Sequence, residues 1–322
     1  MIYIILLNFN GTQDTIECLE SLFELQQSDV RIIVVDNASR DPALATIAHW
    51  ANARASDLAV FVTSEAIAAG AGATHCLSLV QNPDNLGFAA GNNVGIRLAL
   101  NDPDCTYVWL VNNDTVVAPD SLTHLLDRSA EDDAIGICGS TLIYYDDRDV
   151  VQAIGGAFNK RTGRARQIGS HASVDALPAR DALEQDMDYV AGASMLVTRR
   201  FLEKVGLLNE RYFLYYEEID WSTRGQPVFK LGWAPKSHVF HKEGAAIGTS
   251  SRGRPSITSL YYMTNSNLRF MWAYHPTFIL LSLVRHGVIA IRYAVKADLP
   301  AARVTAKAVG DFLTGKTRRG PL

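Results

Sequence analysis

The chain has 322 residues, 48% apolar and 20% charged, enough to bury a full core and too ordered in composition for a flexible tail. It fits one large α/β domain with an extension, or two domains. The net charge of −4 hides an asymmetry. Residues 1–150 hold 21 acidic side chains against six Arg and no Lys (−15), and residues 151–322 hold 13 against 24 (+11). The basic half is either a solvated face or a surface for an anionic partner such as a phosphate or a membrane.

Ile2 to Leu7 is a continuous apolar run, as expected of a parallel strand covered on both faces. It stops at Asn8 and has no basic lead, so it does not read as a signal peptide. Asn10-Gly11-Thr12 gives a turn and cap. A helix follows, with Ile16, Leu19, Leu22 and Phe23 at helical spacing. "VRIIVVDN" is a second strand and "CLSLVQNPDN" a third, followed by the helical "GFAAGNNVGIRLAL". "YVWLVNND" is the fourth strand, and Pro119 opens the next helix. Residues 55–73, rich in Ala and Gly, read as an extra helix and loop. This alternation predicts a doubly wound sheet.

Each of these strands ends in Asn or Asp: Asn8, Asp36-Asn37, Asn82, and Asn112-Asn113-Asp114. In such sheets ligands bind beyond the carboxyl ends of the strands. That set suits a nucleotide read by hydrogen bonds, and the helix beginning near Phe88 offers N–H groups to anionic oxygens. Neither GxGxxG nor GxxxxGK[ST] occurs at the first strand, so a dinucleotide fingerprint and a phosphate loop are both absent. A divalent cation on Asp114 is then the economical way to hold a diphosphate.

Beyond residue 134 the alternation becomes irregular. "VVQAIGGAFNKRTGRARQIG" reads as a hairpin with a basic turn, "DYVAGASMLVTRRFLEKVG" as a strand then a helix, and "FLYYEEIDWSTRG" as an acidic helix. Carboxylates crowded on one helical turn repel, which raises a pKa and favours a proton-accepting role. His238 and His241, three residues apart on a strand, face opposite ways, so one of them points to the site. Four scattered cysteines with no CxxC pair indicate neither zinc nor a disulfide framework, and fit a reducing, cytoplasmic compartment.

The ordered motifs Asn8-Phe9-Asn10, Asp36-Asn37-Ala38-Ser39, Asn85-Leu86-Gly87-Phe88 through Asn92-Asn93, and Asn112-Asn113-Asp114 resemble glycosyltransferase family two, most closely its rhamnosyltransferase-like branch. The resemblance covers roughly residues 1–250. It implies a GT-A fold, Rossmann-like and doubly wound, over residues 1–255. Residues 1–115 would form the nucleotide-sugar half and 116–255 the acceptor half, with a helical extension over 256–322. It also implies that Asp36 reads the pyrimidine of a UDP- or dTDP-sugar, with Asn8, Asn10, Asn37, Asn85, Gly87, Asn93, Asn112 and Asn113 around the donor. Asn112-Asn113-Asp114 occupies the place of a DxD motif, with Asn for its first Asp. Asp114 and His241, the latter in a His-x-x-Gly element, would hold Mg²⁺ or Mn²⁺. Glu217-Glu218-Ile219-Asp220 matches Glu-Asp-x-Asp, placing the base on Glu218, with Asp220 as second choice and Glu217 on the acceptor side. Gly192, Ala193 and Ser194 would border a saccharide or lipid-linked acceptor.

Arg252 and Arg254 sit on a loop that either closes over the diphosphate or solubilises the surface. On a helix Arg285, Arg292 and Lys296 share one narrow arc among apolar residues. That pattern fits a helix lying on anionic lipid, or equally one docked on the domain or in a homodimer. The expectation is an inverting, membrane-peripheral glycosyltransferase of cell-surface polysaccharide synthesis, with no nucleic-acid partner. A nucleotidyltransferase is disfavoured because "NFNGTQDT" has no Gly-rich, Arg-containing loop. A catalytically silent nucleotide-sugar or carbohydrate-binding subunit stays as the alternative.

Overall fold

The computed structural model describes residues 1–56, 58–243 and 253–316. In chain order the first half runs β1 (Ile2–Asn8), α1 (Thr12–Phe23), β2 (Val30–Asp36), α2 (Ala43–Asn52), β3 (Ala59–Val62), α3 (Ser64–Ala68), β4 (Leu77–Gln81), α4 (Gly87–Leu100), β5 (Tyr107–Asn112), β6 (Thr115–Val117) and α5 (Ser121–Ala130). Then come β7 (Ile135–Tyr144), β8 (Asp147–Ala153), β9 (Gly155–Asn159), β10 (Arg164–Ile168), α6 (Arg180–Gln185), β11 (Tyr189–Val190), β12 (Ser194–Thr198), α7 (Arg199–Val205), α8 (Glu217–Gly225) and β13 (Lys230–His241). Three helices follow: α9 (Ile257–Tyr274), α10 (Ile279–Val295) and α11 (Leu299–Leu313).

The main sheet has the order β3-β4-β2-β1-β5-β12-β7-β13-β6, with β8 beside β7. Its first five strands are parallel, and β12 enters antiparallel between β5 and β7. Chain order reverses direction across β1, which has β2 on one side and β5 on the other. That is the switch point where doubly wound sheets open a ligand crevice. Alternation along β1 sends Ile2, Ile4 and Leu6 into one apolar layer and Tyr3 and Ile5 into the other, so both faces are covered.

The basic-turn hairpin forms as β9 and β10, paired antiparallel. The acidic helix is α8, and three helices lie between Ile257 and Leu313. Two elements differ from expectation. The 55–73 segment holds a strand, β3, besides its short helix α3. Four residues at a sheet edge, with Phe61 exposed, carry too little periodicity to announce a strand. Ile135–Tyr144, inside the stretch read as irregular, is a fully buried ten-residue strand whose Gly136 and Gly139 admit close neighbours.

Candidate functional site

Register brings the polar strand ends to one level. Asn8 pairs with Asp36 across β1–β2, and Leu7 pairs with Asn112 across β1–β5. The side chains there are mostly bonded to one another. Asn8, fully buried, donates to Asp36 Oδ1 (2.6 Å) and accepts through Oδ1 from Thr15 Oγ1 (3.0 Å) and Asn113 Nδ2 (3.3 Å). Asp36 also accepts from Ser39 Oγ, from Ser39 N (3.0 Å) and from Gln81 Nε2 (2.8 Å). Those bonds fill a carboxylate's roughly four acceptor sites. Asn37 accepts from Asn82 Nδ2 (2.8 Å) and donates to Gly87 O (3.0 Å). The strand-end amides therefore form a lattice that fixes the crevice floor. Asn10 (exposed, φ 55°), Asn85 and Asn112 are less enclosed.

Gly87 is held by backbone approach. At φ 83°, a Cβ there would lie 2.3 Å from Phe213 O, and Phe88 N donates to that same carbonyl (2.8 Å). Asn93, expected near the donor, turns the other way: its amide donates to Leu208 O (2.9 Å) and Glu210 Oε1 (3.0 Å). It pins α4 to the 208–210 loop. Ser194 also departs from expectation, because its hydroxyl is buried in the sheet, accepting from Trp109 Nε1 (2.9 Å) and bonded to Ser140 Oγ (2.7 Å). Ala193 is buried too, whereas a Cβ on Gly192 would meet open space.

Asp114, just past β5, and His241, the last residue of β13, meet at 3.2 Å (Oδ1 to Nε2). The His241 Nδ1–H donates to Gln152 Oε1 (2.8 Å), which leaves Nε2 facing Asp114 and, at 3.5 Å, Asn112 Nδ2. Burial lowers the His241 pKa, but the adjacent Asp114 carboxylate outweighs it and the net shift is upward. An imidazole fixed through one nitrogen with the other turned to a carboxylate is the usual preparation of a metal ligand. His238 is set elsewhere, its ring within electrostatic reach of Asp120 and His124 rather than of Asp114. Among the described residues no group of three or more His, Cys, Asp or Glu converges, and Asp114 and His241 are the two that meet here. Gly244 of the His-x-x-Gly element, and Arg252, lie outside the described residues.

The second centre opens α8. Tyr215 (φ 66°) and Tyr216 (φ 75°) are consecutive left-handed residues, each costing about 1–3 kcal/mol. The sharp turn they make delivers Glu217 and Glu218. It is held from α9: Tyr215 OH donates to Ser259 Oγ (3.0 Å), and Asn267 Nδ2 donates to Tyr216 OH (2.6 Å). Glu217 and Glu218 each carry an enclosed Oε2 with no hydrogen-bond partner. Burial raises both pKa values, that of Glu218 to about 7 and that of Glu217 well above the usual range, with Glu218's charge adding to the latter. Sequence spacing gave no sign of the Asn267 support or of Gln152. Two adjacent aromatics before the acidic turn were the one available signal.

Asp220 has a different place. Its carboxylate is 0% exposed and accepts from Arg224 Nε (2.7 Å), Tyr274 OH (2.8 Å) and Asn209 Nδ2 (3.2 Å). It latches α8 to α9, which removes it as an accessible base. Asp220→Ala should lower stability by about 3 kcal/mol, because breaking a buried pair strands its partners. Urea unfolding checks this, and a loss near zero would refute the latch.

A parallel half with level polar strand ends, completed by a mixed half in which β13 runs parallel to β7 and antiparallel to β6, defines a GT-A fold. The S. aureus TarS 1-349 crystal structure superposes with TM-score 0.54 at 14% identity, over 97% of this chain and 80% of that one. Pyrobaculum calidifontis mannosyltransferase PcManGT, solved with GDP-Man and Mn²⁺, gives 0.54 at 14%, over 98% and 87%. Residues 3–177 match the family glycosyl transferase family 2, and the chain belongs to it. Haloferax volcanii low-salt glycan biosynthesis hexosyltransferase Agl10 is 26% identical over 148 residues, 46% of this chain and 45% of that protein. The Mycobacterium tuberculosis N-acetylglucosaminyl-diphospho-decaprenol L-rhamnosyltransferase is 24% identical over 152 residues, 44% and 48%. The match spans about half the length of these relatives.

Proposed function

We propose that this protein is an inverting glycosyltransferase. It moves a sugar, rhamnose in our reading, from a UDP- or dTDP-sugar to a hydroxyl of a saccharide or lipid-linked acceptor in cell-surface polysaccharide synthesis. The observation that carries this is Glu218: a half-buried carboxyl with an unbonded oxygen and a pKa of about 7, at the mouth of α8. A base poised near operating pH suits proton abstraction. Glu218 takes the acceptor hydroxyl's proton and the oxygen attacks the anomeric carbon. The bond from that carbon to the diphosphate breaks, and its electron pair leaves with the nucleoside diphosphate. Glu217 and Gly192 border the acceptor.

Asn10, Asn85 and Asn112 line the donor crevice over the Asn8–Asp36–Asn37–Asn113 floor. A pyrimidine reading Asp36 must exchange with the Ser39 or Gln81 bond. Asp114 and His241 would hold Mg²⁺ or Mn²⁺, the carboxylate as its hard oxygen donor. Such an ion, when bound, supplies charge neutralisation at the leaving group. Support comes from the Mn²⁺ and GDP-Man of PcManGT and from the diphospho-decaprenol acceptor in the mycobacterial relative's name. The enzyme acts at the cytoplasmic face of the membrane. Transfer and hydrolysis measured across a panel of UDP- and dTDP-sugars test the reading. Turnover of one donor is expected, and tight donor binding without turnover of any would make the protein a silent binder.

A further inference from the structure

We propose that the outer face of α10, with the β9–β10 turn beside it, is a docking surface for an anionic lipid bilayer; this deepens the membrane-peripheral part of the reading above. The cationic arc expected on α10 does not form as such. Arg285 turns inward, donating through Nη2 to Asn267 Oδ1 (2.8 Å), and neighbouring His286 is buried against the same atom (2.9 Å). Burial, with the Arg285 charge, pushes the His286 pKa down to about 3. Solvent meets Leu280 (73% exposed), Leu281, Val284 (63%), Val288, Ile291 (64%) and Val295 (82%), spaced along one stripe of the helix. A stripe of this kind on a soluble surface needs a partner.

Charge selects the partner. Residues 254–297 contain no Asp or Glu. The β9–β10 turn is pressed onto this region: a Cβ on Gly163 would lie 2.7 Å from Ser282 Oγ of α10 and 3.2 Å from Asn267 Nδ2 of α9. Lys160, Arg161, Arg164 and Arg166 of that hairpin are exposed and make no ion pair among the described residues, and Arg292 and Lys296 are exposed on α10 itself. A two-fold dimer through the stripe would set this cationic rim against its own copy. Anionic headgroups complement the rim while the acyl boundary takes the stripe.

Pro276–Val295 is long and apolar enough to cross a membrane by length and composition alone. Its opposite face is nevertheless fixed to α9 through Arg285 and His286, so the helix lies flat. The turn that carries the cations also reaches the residue two before Glu218: Tyr216 OH donates to Gly163 O (3.4 Å). A bilayer docked here sits beside the acceptor side of the site.

Sedimentation with vesicles of phosphatidylcholine, with and without phosphatidylglycerol, tests this on the full chain. Wild type should bind the anionic vesicles and lose binding as salt rises. The double variant V284D/I291D should lose at least tenfold in affinity. The quadruple variant K160Q/R161Q/R164Q/R166Q should lose on the order of a thousandfold, together with most of its salt dependence, since Arg292 and Lys296 remain. All six positions are exposed or stand on a surface turn, so circular dichroism should match wild type. Absent vesicle binding, unchanged binding by both variants, or a dimer that V284D/I291D converts to monomer would each overturn the proposal. Transfer to a soluble acceptor reads separately: its loss with vesicle binding intact strikes the catalytic reading alone.

Discussion

Glu218→Gln is expected to bind donor as wild type does and to transfer sugar roughly 10²–10⁴-fold more slowly, the contribution of a positioned base. Amide and carboxyl have nearly the same shape, so the turn made by Tyr215 and Tyr216 should persist. Wild-type kcat/KM should rise with pH through about 7, where burial places the Glu218 pKa, because the base works only when ionised. Stability should move the opposite way. A carboxyl whose folded pKa is raised contributes its stability below the ordinary value near 4.5 and loses it as pH climbs through about 7. Glu218→Gln should therefore unfold at a higher temperature than wild type at pH 8, and show no such gain at pH 4. A variant that is merely misfolded would lose activity and stability together. Were Asp220→Asn to abolish transfer in a folded protein while Glu218→Gln did not, the base would be misassigned by two residues.

What the sequence disclosed follows from the range of the interactions involved. Buried parallel strands such as Ile2–Leu7 are apolar runs cut off by polar residues, and one strand suffices to see that. The level at which the runs end depends only on register, so Asn8, Asp36 and Asn112 could be gathered in advance. Where each side chain turns was a different matter. Asn8 and Asn113 face each other beneath the crevice because Thr15 of α1 completes their bonds, a contact between residues about a hundred apart. Ser194 is drawn inward by the Trp109 indole across β5–β12, and Asn93 by the backbone of Leu208. Helical spacing put Arg285 on the same arc as Arg292 and Lys296. Asn267, on another helix, decided which way it points.

Asp114→Ala is expected to remove the metal dependence of donor binding without unfolding the chain. The side chain stands past the end of β5, outside the apolar layers, and its removal leaves the β5 pairing with β1 and β12 intact. Calorimetry with the nucleoside diphosphate, with and without Mg²⁺ or Mn²⁺, should show metal-enhanced affinity in wild type and none in the variant. His241→Ala should weaken the same enhancement less, since a divalent cation of this kind prefers oxygen to nitrogen. Gln152→Ala should have a smaller effect again: it touches no donor, and only holds the His241 ring through Nδ1. The order Asp114, His241, Gln152 is the informative readout, because a general loss of folding would flatten it. Equal metal-dependent affinity in wild type and Asp114→Ala would mean that the carboxylate serves only as the partner of His241, and that the diphosphate is held elsewhere.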